Sequence, residues 1–186
     1  MPGVRRYKGI ERERKVIMSR AFVKESDDDL VAGELPERPV PVHANYVTPH
    51  GLEGLQSRLR ELQDRHEALK RRSDDDSGAK QALREIDRDI RYVNAQLERA
   101  VVVDPVQQPR DEVHFGARVT IEDEEGSTHE FALVGDDEAD VSAGKISWAS
   151  PLARALMNGK VGDTVAWRRP AGETEVEILR ITYPDA

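Results

Sequence analysis

From Thr48 to Ala100 the chain reads TPHGLEGLQSRLRELQDRHEALKRRSDDDSGAKQALREIDRDIRYVNAQLERA. Apolar residues recur here in two runs, and the steps within each run alternate between three and four residues. This spacing is typical of two helices that share an apolar seam. One seam position, His66, is polar, and we interpret it as a register device rather than a metal ligand. The seam positions are Leu52, Leu55, Leu59, Leu62, His66 and Leu69, then Leu83, Ile86, Ile90, Val93, Leu97 and Ala100.

A polar break between the two runs predicts a turn. Arg72–Gly78 contains no apolar residue and is rich in turn-forming residues. Thr48 followed by Pro49 is a typical helix start, because threonine caps a helix and proline fits its first turn. We therefore predict an antiparallel helical hairpin over residues 48–100, with arms that project roughly 35 Å. Its tip carries three consecutive acids, Asp74, Asp75 and Asp76.

After the hairpin the periodicity changes from helical to alternating. Apolar and polar residues alternate over 113–121 and again over 128–134, which predicts half-buried strands. Ser150-Pro151 repeats the helix-start signal ahead of about two helical turns. The predicted fold class is α+β, with an N-terminal antiparallel α-helical hairpin (coiled coil) followed by a small antiparallel β-sheet domain that holds one short helix.

The composition fits this layout. Of 186 residues, 38% are hydrophobic and 34% are charged, which suits a long exposed hairpin beside a small core. Acidic and proline-rich sequence precedes the hairpin and disfavours regular structure. We predict a disordered N-terminal extension at residues 1–47, the hairpin at 48–100, a linker at 101–110 and a C-terminal domain at 111–186.

The charge is unevenly distributed. The net charge of −8 argues against sequence-independent binding to duplex DNA. Residues 1–20 nevertheless hold seven lysines or arginines and two glutamates, a net of +5 that leaves −13 on the rest of the chain. This basic arm could contact nucleic acid, and a solvated tail is the alternative. Met18 also offers an alternative start, which would make the arm a leader without function.

Several function classes are excluded by residue types. The chain has no cysteine, so disulfides, thiolate metal sites and cysteine nucleophiles are absent. No apolar run reaches the 18 or so residues that a membrane span needs, and the N-terminus lacks a signal-peptide core. Histidines are scattered, and neither a nucleophilic triad nor a glycine-rich phosphate cradle is present. We expect a cytoplasmic monomer with no catalytic site, no stably bound metal and no stably bound cofactor.

Two groups of motifs resemble the Gre family of bacterial transcription elongation and transcript-cleavage factors, and more closely its GreB branch. The resemblance covers roughly residues 46–183. One group lies on the second predicted helix and the other in the C-terminal domain. The motifs are Leu83-Arg84-Glu85-Ile86-Asp87-Arg88, Arg91-Tyr92, Phe115-Gly116-Ala117, Gly126 to His129, Val134-Gly135, Ile146-Ser147, Ser150 to Leu156, Val161-Gly162-Asp163 and Pro170-Ala171-Gly172-Glu173.

The resemblance implies a partner and a mechanism. In this family an FKBP-like C-terminal domain docks at the rim of the RNA polymerase secondary channel, and the hairpin enters the channel. Acids at the tip help to hold the second catalytic Mg²⁺, so the polymerase cleaves its own backtracked transcript. Mg²⁺ takes few protein carboxylates and keeps several waters, which makes such sharing chemically reasonable. Mg²⁺ would thus be shared with the polymerase active site.

Candidate site residues follow from the resemblance, each with an ordinary structural alternative. Asp74, Asp75 and Asp76 are candidates for assisting Mg²⁺, but acids also stabilise the start of a helix. Trp148, Ser150 and Pro151 are candidates for polymerase binding, and Trp148 could equally belong to the core. Arg84, Arg88 and Arg91 share one helix face and could face transcript RNA, or form a solvated charged face.

Two departures from the family pattern bear on activity. Counted from the shared Leu83–Arg88 motif, the hairpin is about a dozen residues shorter than in GreB, which reduces its reach by roughly 9 Å. The tip acids also do not map one to one onto the family's tip. The second departure is Ala149, which stands where the family commonly has an aspartate before Ser-Pro.

Three functions remain open from the sequence. The first is a Gre-type factor that binds polymerase and stimulates transcript cleavage. The second is a channel-docking competitor or inhibitor whose short hairpin does not reach the metal. The third is an FKBP-like binding module unrelated to transcription. A prolyl isomerase is disfavoured, because the three phenylalanines are scattered rather than gathered around a pocket.

Overall fold

A computed structural model describes residues 35–71, 77–169 and 172–185. The N-terminal arm and the tip aspartates Asp74, Asp75 and Asp76 therefore lie outside the described residues. The two hairpin helices are α1 (Pro49–Lys70) and α2 (Ser77–Glu98). α1 begins as predicted, because the Thr48 side chain accepts a hydrogen bond from the Gly51 amide at 2.9 Å.

The predicted seam is the core of the hairpin. Leu55, Leu62, Ile86 and Val93 are buried between the helices, and Leu62 is only 1% exposed. His66 is partly exposed on the same seam, where its Nε2 lies 3.2 Å from the Asp87 carboxylate of the other helix. This cross-helix contact agrees with the interpretation of His66 as a register device.

The segment before the hairpin corrects one sequence prediction. Residues 45–47 were placed in a disordered extension, yet Asn45–Val47 form strand β1, which pairs in parallel with β2 (Ala100–Val102). Ala100 therefore belongs to a strand rather than to the helical seam, and residues 101–102 continue that strand. Helical periodicity could not predict β1, because contacts with residues distant in sequence stabilise this strand. Val47 packs into the hairpin core, and Asn45 Nδ2 donates to the Gln96 carbonyl at 2.8 Å.

The C-terminal residues form a five-stranded sheet, so the α+β fold class is confirmed. The strands are β3 Arg118–Asp123, β4 Thr128–Val134, β5 Lys145–Ser147, β6 Thr164–Arg169 and β7 Gly172–Thr182. Across the sheet they lie in the order β5-β4-β3-β7-β6.

The sheet is mixed rather than wholly antiparallel, which is a second correction. β5 runs parallel to β4, whereas the other neighbouring pairs are antiparallel. Residues 135–144 connect β4 to β5 and contain two 3₁₀ turns, Asp136–Glu138 and Val141–Ala143. This connection is long enough to carry the chain back to the level of Ala132 in β4, where β5 begins, and a tight hairpin turn could not do so.

One α-helix covers the sheet. α3 (Pro151–Leu156) lies over the inner sheet face and contributes buried Leu152, Ala153 and Leu156. The predicted strand at 113–121 begins only at Arg118, because the chain turns at Gly116, whose φ is +87°. The buried core consists of Val113, Ala117, Val119, Ile121, Leu133, Ile146, Leu152, Ala153, Leu156, Val176, Ile178 and Tyr183.

Candidate functional site

Ser150 and Pro151, two of the predicted binding residues, form the start of α3. The Ser150 hydroxyl accepts a hydrogen bond from the Ala153 amide at 3.2 Å and thereby caps the helix. Pro151 occupies the first helical turn and is exposed to solvent. The local sequence thus places a rigid, exposed proline at a fixed corner of the C-terminal domain.

An apolar cavity of about 280 Å³ opens beside this proline. Five of its lining side chains are apolar residues that the sequence analysis did not select. Among them Val141 is 76% exposed, an unusual position for valine, and it lies on the second 3₁₀ turn. The cavity is lined by Phe131, Val141, Ile146, Ser150, Pro151, Leu152 and Trp167. An apolar recess on a surface this rich in charge is suited to take an apolar side chain of another protein.

Sequence reasoning missed most of this surface because its members are far apart along the chain. Phe131, Val141 and Trp167 come from β4, a 3₁₀ turn and β6. None of them lies within nine residues of Pro151 along the sequence. The one local signal was Trp167, a large aromatic residue in a strand that otherwise carries many polar residues.

Trp148, the third predicted binding residue, packs inward instead. Its ring contacts Tyr46 with a centroid distance of 4.8 Å and His43 at 5.4 Å. Its indole nitrogen is buried and has no hydrogen-bond partner among the described residues. Trp148 therefore joins the segment before the hairpin to the C-terminal domain, and a direct role in binding remains a prediction.

The three arginines predicted to face RNA lie along α2 in different surroundings. Arg84 is exposed and bonds Gln81 at 2.5 Å within its own helix. Arg88 is partly buried beside Asp89. Arg91 donates to Glu37 through two nitrogens, at 2.9 and 2.5 Å. Arg91 is thus already bound to an acidic partner in the chain, whereas Arg84 bonds a neutral side chain of its own helix.

The acidic residues between β4 and β5 do not form a freely solvated loop, because they bond other segments of the chain. We call Asp136–Glu138 the acidic turn. Each of its carboxylates bonds the base of the hairpin: Asp136 to His43 at 2.6 Å, Asp137 to Gln96 Nε2 at 2.6 Å, and Glu138 to the Thr48 hydroxyl at 2.5 Å. The sequence concealed this role because the partners are 41 to 93 residues away.

Tyr92 shows the electrostatic effect of this arrangement. Burial, together with the neighbouring Asp137 carboxylate, raises the pKa of the Tyr92 phenol to about 12. Its hydroxyl lies 3.0 Å from Asp137 Oδ1 and donates to it. The guanidinium of Arg38 lies 3.9 Å from the centre of the Tyr92 ring. Tyr92 therefore remains a neutral hydrogen-bond donor throughout the physiological pH range.

The described residues also bear on metal binding and on membrane insertion. Within residues 35–71, 77–169 and 172–185, no group of three or more histidine and acidic side chains is placed to hold a metal ion. No helix in the described part of the chain is long and apolar enough to cross a membrane.

The fold and site together define a class of protein: an α-helical hairpin anchored on a small α+β domain that exposes an apolar recess. Residues 108–183 match the family model for the C-terminal domain of GreA/GreB transcription elongation factors. GreB of Neisseria meningitidis serogroup B (strain ATCC BAA-335 / MC58) is 39% identical over 153 residues, which cover 75% of this chain and 94% of the relative. GreB of Yersinia pestis is 35% identical over 153 residues, with 75% and 90% covered.

The chain belongs to the GreA/GreB family of transcription elongation factors, and among the relatives named here it is similar to GreB. A solved structure of GreA factor homolog 1 (Gfh1) from Thermus thermophilus is 27% identical, covers 75% of this chain and 99% of that one, and superposes with a TM-score of 0.36. Family membership rests on the sequence relatives.

Proposed function

We propose that this protein binds RNA polymerase at the secondary channel and regulates transcript elongation there. Family membership supports the partner, and the cavity beside Pro151 is the observation that carries the binding mode. The C-terminal domain provides the docking surface, while the hairpin reaches into the channel. On this proposal the protein acts as a cytoplasmic monomer and has no catalytic site of its own.

The docking surface combines a rigid edge with an apolar recess. Ser150 and Pro151 fix the edge at the start of α3, and Val141 and Trp167 flank the recess. A partner side chain that enters the recess is removed from water, and about 25 cal/mol is gained per Å² of apolar surface buried. Because Ala149 supplies no charge next to Ser150, the apolar recess carries most of the binding energy in this proposal.

The action on the transcript depends on the tip. If Asp74, Asp75 and Asp76 reach the polymerase active site, their carboxylates help to hold its second Mg²⁺, which stabilises the attacking and leaving oxygens of phosphodiester cleavage. The tip lies outside the described residues, so the role of these acids is a proposal based on the family resemblance. Arg84 and Arg88 would then lie along the wall of the channel, where transcript RNA passes.

A second function, competition without cleavage, is favoured by the length of the helices. α1 and α2 have 22 residues each, which corresponds to about 33 Å. A hairpin too short to bring carboxylates within 2.0–2.1 Å of Mg²⁺ would occupy the channel without stimulating cleavage. In that case the protein displaces full-length Gre factors and inhibits cleavage.

The docking proposal predicts the effect of a charge in the recess. Val141→Asp should weaken binding to core RNA polymerase by about tenfold or more, because a carboxylate in an apolar contact loses its hydration. Pro151→Glu should do the same, and its charge is compatible with the first turn of a helix. Affinity is measured by titrating fluorescently labelled protein with polymerase.

The matched control is Val161→Asp. Val161 is also an exposed valine of the C-terminal domain, at 59%, but it does not line the recess. This variant should bind polymerase as the parent does, and circular dichroism should show all three variants folded. Equal affinity of the Val141→Asp variant and the parent would move the docking surface elsewhere.

A further inference from the structure

The base of the hairpin is bound by three consecutive carboxylates that each contact a different segment. Asp136 bonds His43 in the segment before α1, and Glu138 bonds the Thr48 amide and hydroxyl at the start of α1. Between them, Asp137 accepts hydrogen bonds from Tyr92 and Gln96, both on α2. One short turn of the C-terminal domain therefore contacts all three chain segments that converge at the hairpin base.

The acidic turn packs closely against the hairpin base, and two glycines make this close approach possible. A Cβ atom added at Gly51 would lie 2.3 Å from the Glu138 carboxylate, so the glycine is what lets Glu138 reach the helix. A Cβ atom at Gly135 would lie 2.7 Å from the Tyr46 carbonyl oxygen. Gln96 is fully buried, and it donates one of its hydrogen bonds to Asp137. Buried polar groups of this kind disfavour any other arrangement, because they would lose their partners.

The segment before the hairpin adds further contacts between the hairpin base and the C-terminal domain. We call residues 35–47 the strap. Arg38 stacks on Tyr92 and lies 3.6 Å from Asp89, both on α2. Near the other end of the strap, His43 contacts Trp148 of the C-terminal domain, and its carbonyl accepts from Arg99 at 2.5 Å. The strap thus contacts both the hairpin and the C-terminal domain, which the acidic turn also connects.

We propose that the acidic turn and the strap fix the direction in which the hairpin leaves the C-terminal domain, with Asp137 and Glu138 as positioning residues. This inference rests on the proposed function, since direction matters only if the tip must meet a target. A 22-residue helix is a lever of about 33 Å, so a tilt of about 10° at its base moves its far end by ~6 Å. That displacement is more than twice a Mg²⁺–oxygen bond of about 2.1 Å.

Two glycines on α1 provide a matched pair of variants. Gly51→Ala places a methyl group against the Glu138 carboxylate and should displace it from Thr48, whereas Gly54 has no heavy atom within 4 Å of the same position. Both changes favour helix formation, so neither weakens α1 itself. Asp137→Ala removes the acceptor that Tyr92 and Gln96 share.

The experiment measures the angle of the hairpin without polymerase. Because the chain has no cysteine, spin labels attach only at introduced cysteines, Ala68→Cys on α1 and Glu177→Cys on β7, both at exposed positions. In pulsed electron paramagnetic resonance the parent and Gly54→Ala should give one narrow distance distribution. Gly51→Ala and Asp137→Ala should shift it by about 4 Å or broaden it by a similar amount.

A folded Asp137→Ala variant that keeps the parental distance distribution would overturn the inference. If circular dichroism shows that Asp137→Ala does not fold, the same criterion applies to Gly51→Ala: a parental distance distribution in that variant would overturn the inference. The variants should still bind polymerase through the recess while their effect on transcript cleavage, or on competition, falls at least severalfold. Failure of the parent itself to bind polymerase would reject the proposed function and leave the distance result standing.

Discussion

Gln96 is fully buried although it lies on a helix whose other buried positions are apolar. The Gln96 amide donates a hydrogen bond to Asp137 Oδ2, and the Tyr92 hydroxyl donates to Asp137 Oδ1. From the sequence alone, both residues are ordinary members of a partly polar helix face. Their role depends on an aspartate more than 40 residues away, and helical periodicity carries no information about such a partner.

Tyr92 gives a prediction on pH. Its folded pKa of about 12 lies above the ordinary 10.0, so the folded state holds the phenol proton more tightly than the unfolded state. The contribution of Tyr92 to stability should be complete below pH 10 and be lost as the pH rises from 10 to 12. The absorbance of tyrosinate near 295 nm should include a component that ionises near pH 12, and Tyr92→Phe should remove it, which distinguishes it from Tyr183, whose pKa is also raised by burial. Ionisation of all tyrosines near pH 10 would contradict the hydrogen bond between Tyr92 and Asp137.

At the scale of secondary-structure elements, the sequence predicted the features that local interactions determine, namely the helical seam and the helix starts. The three-and-four spacing gave the hairpin seam, and Thr48 and Ser150 marked the helix starts, because capping involves residues only three positions apart. β1 and the parallel pairing of β5 were not predicted. Each of these strands has only three residues, so neither has a usable period of its own. β1 also depends on a partner more than 50 residues away, and the alternation of residues in β5 does not specify whether it runs parallel or antiparallel to β4.

The seam gives the prediction for this scale. Leu62→Ala should lower the free energy of unfolding by about 2–5 kcal/mol, because it leaves a cavity between α1 and α2. Gln63→Ala, at the neighbouring exposed position of the same helix, should change it by less than about 0.5 kcal/mol. Chemical denaturation followed by circular dichroism measures both. Equal stability of the two variants would mean that the helices pack in a different register.

At the scale of the whole molecule, the described residues form two distinct functional regions. The C-terminal domain exposes the recess beside Pro151, and the acidic turn and strap hold the hairpin base. The candidate docking residues Ser150 and Pro151 were found from sequence because they form a short contiguous motif. The recess itself was not, since its lining comes from separate strands and turns that only the folded sheet brings together.

The most direct test of polymerase binding uses a variant that cannot supply tip carboxylates. Asp74, Asp75 and Asp76 are changed together to Asn, which keeps their size but removes the charge that Mg²⁺ requires. The variant is titrated into stalled, backtracked RNA polymerase whose transcript cleavage is stimulated by a full-length Gre factor. We expect cleavage to fall with increasing variant, because the variant occupies the secondary channel, and adding Val141→Asp should abolish this inhibition. Cleavage that stays unchanged at a large excess of a folded variant would contradict binding at the secondary channel.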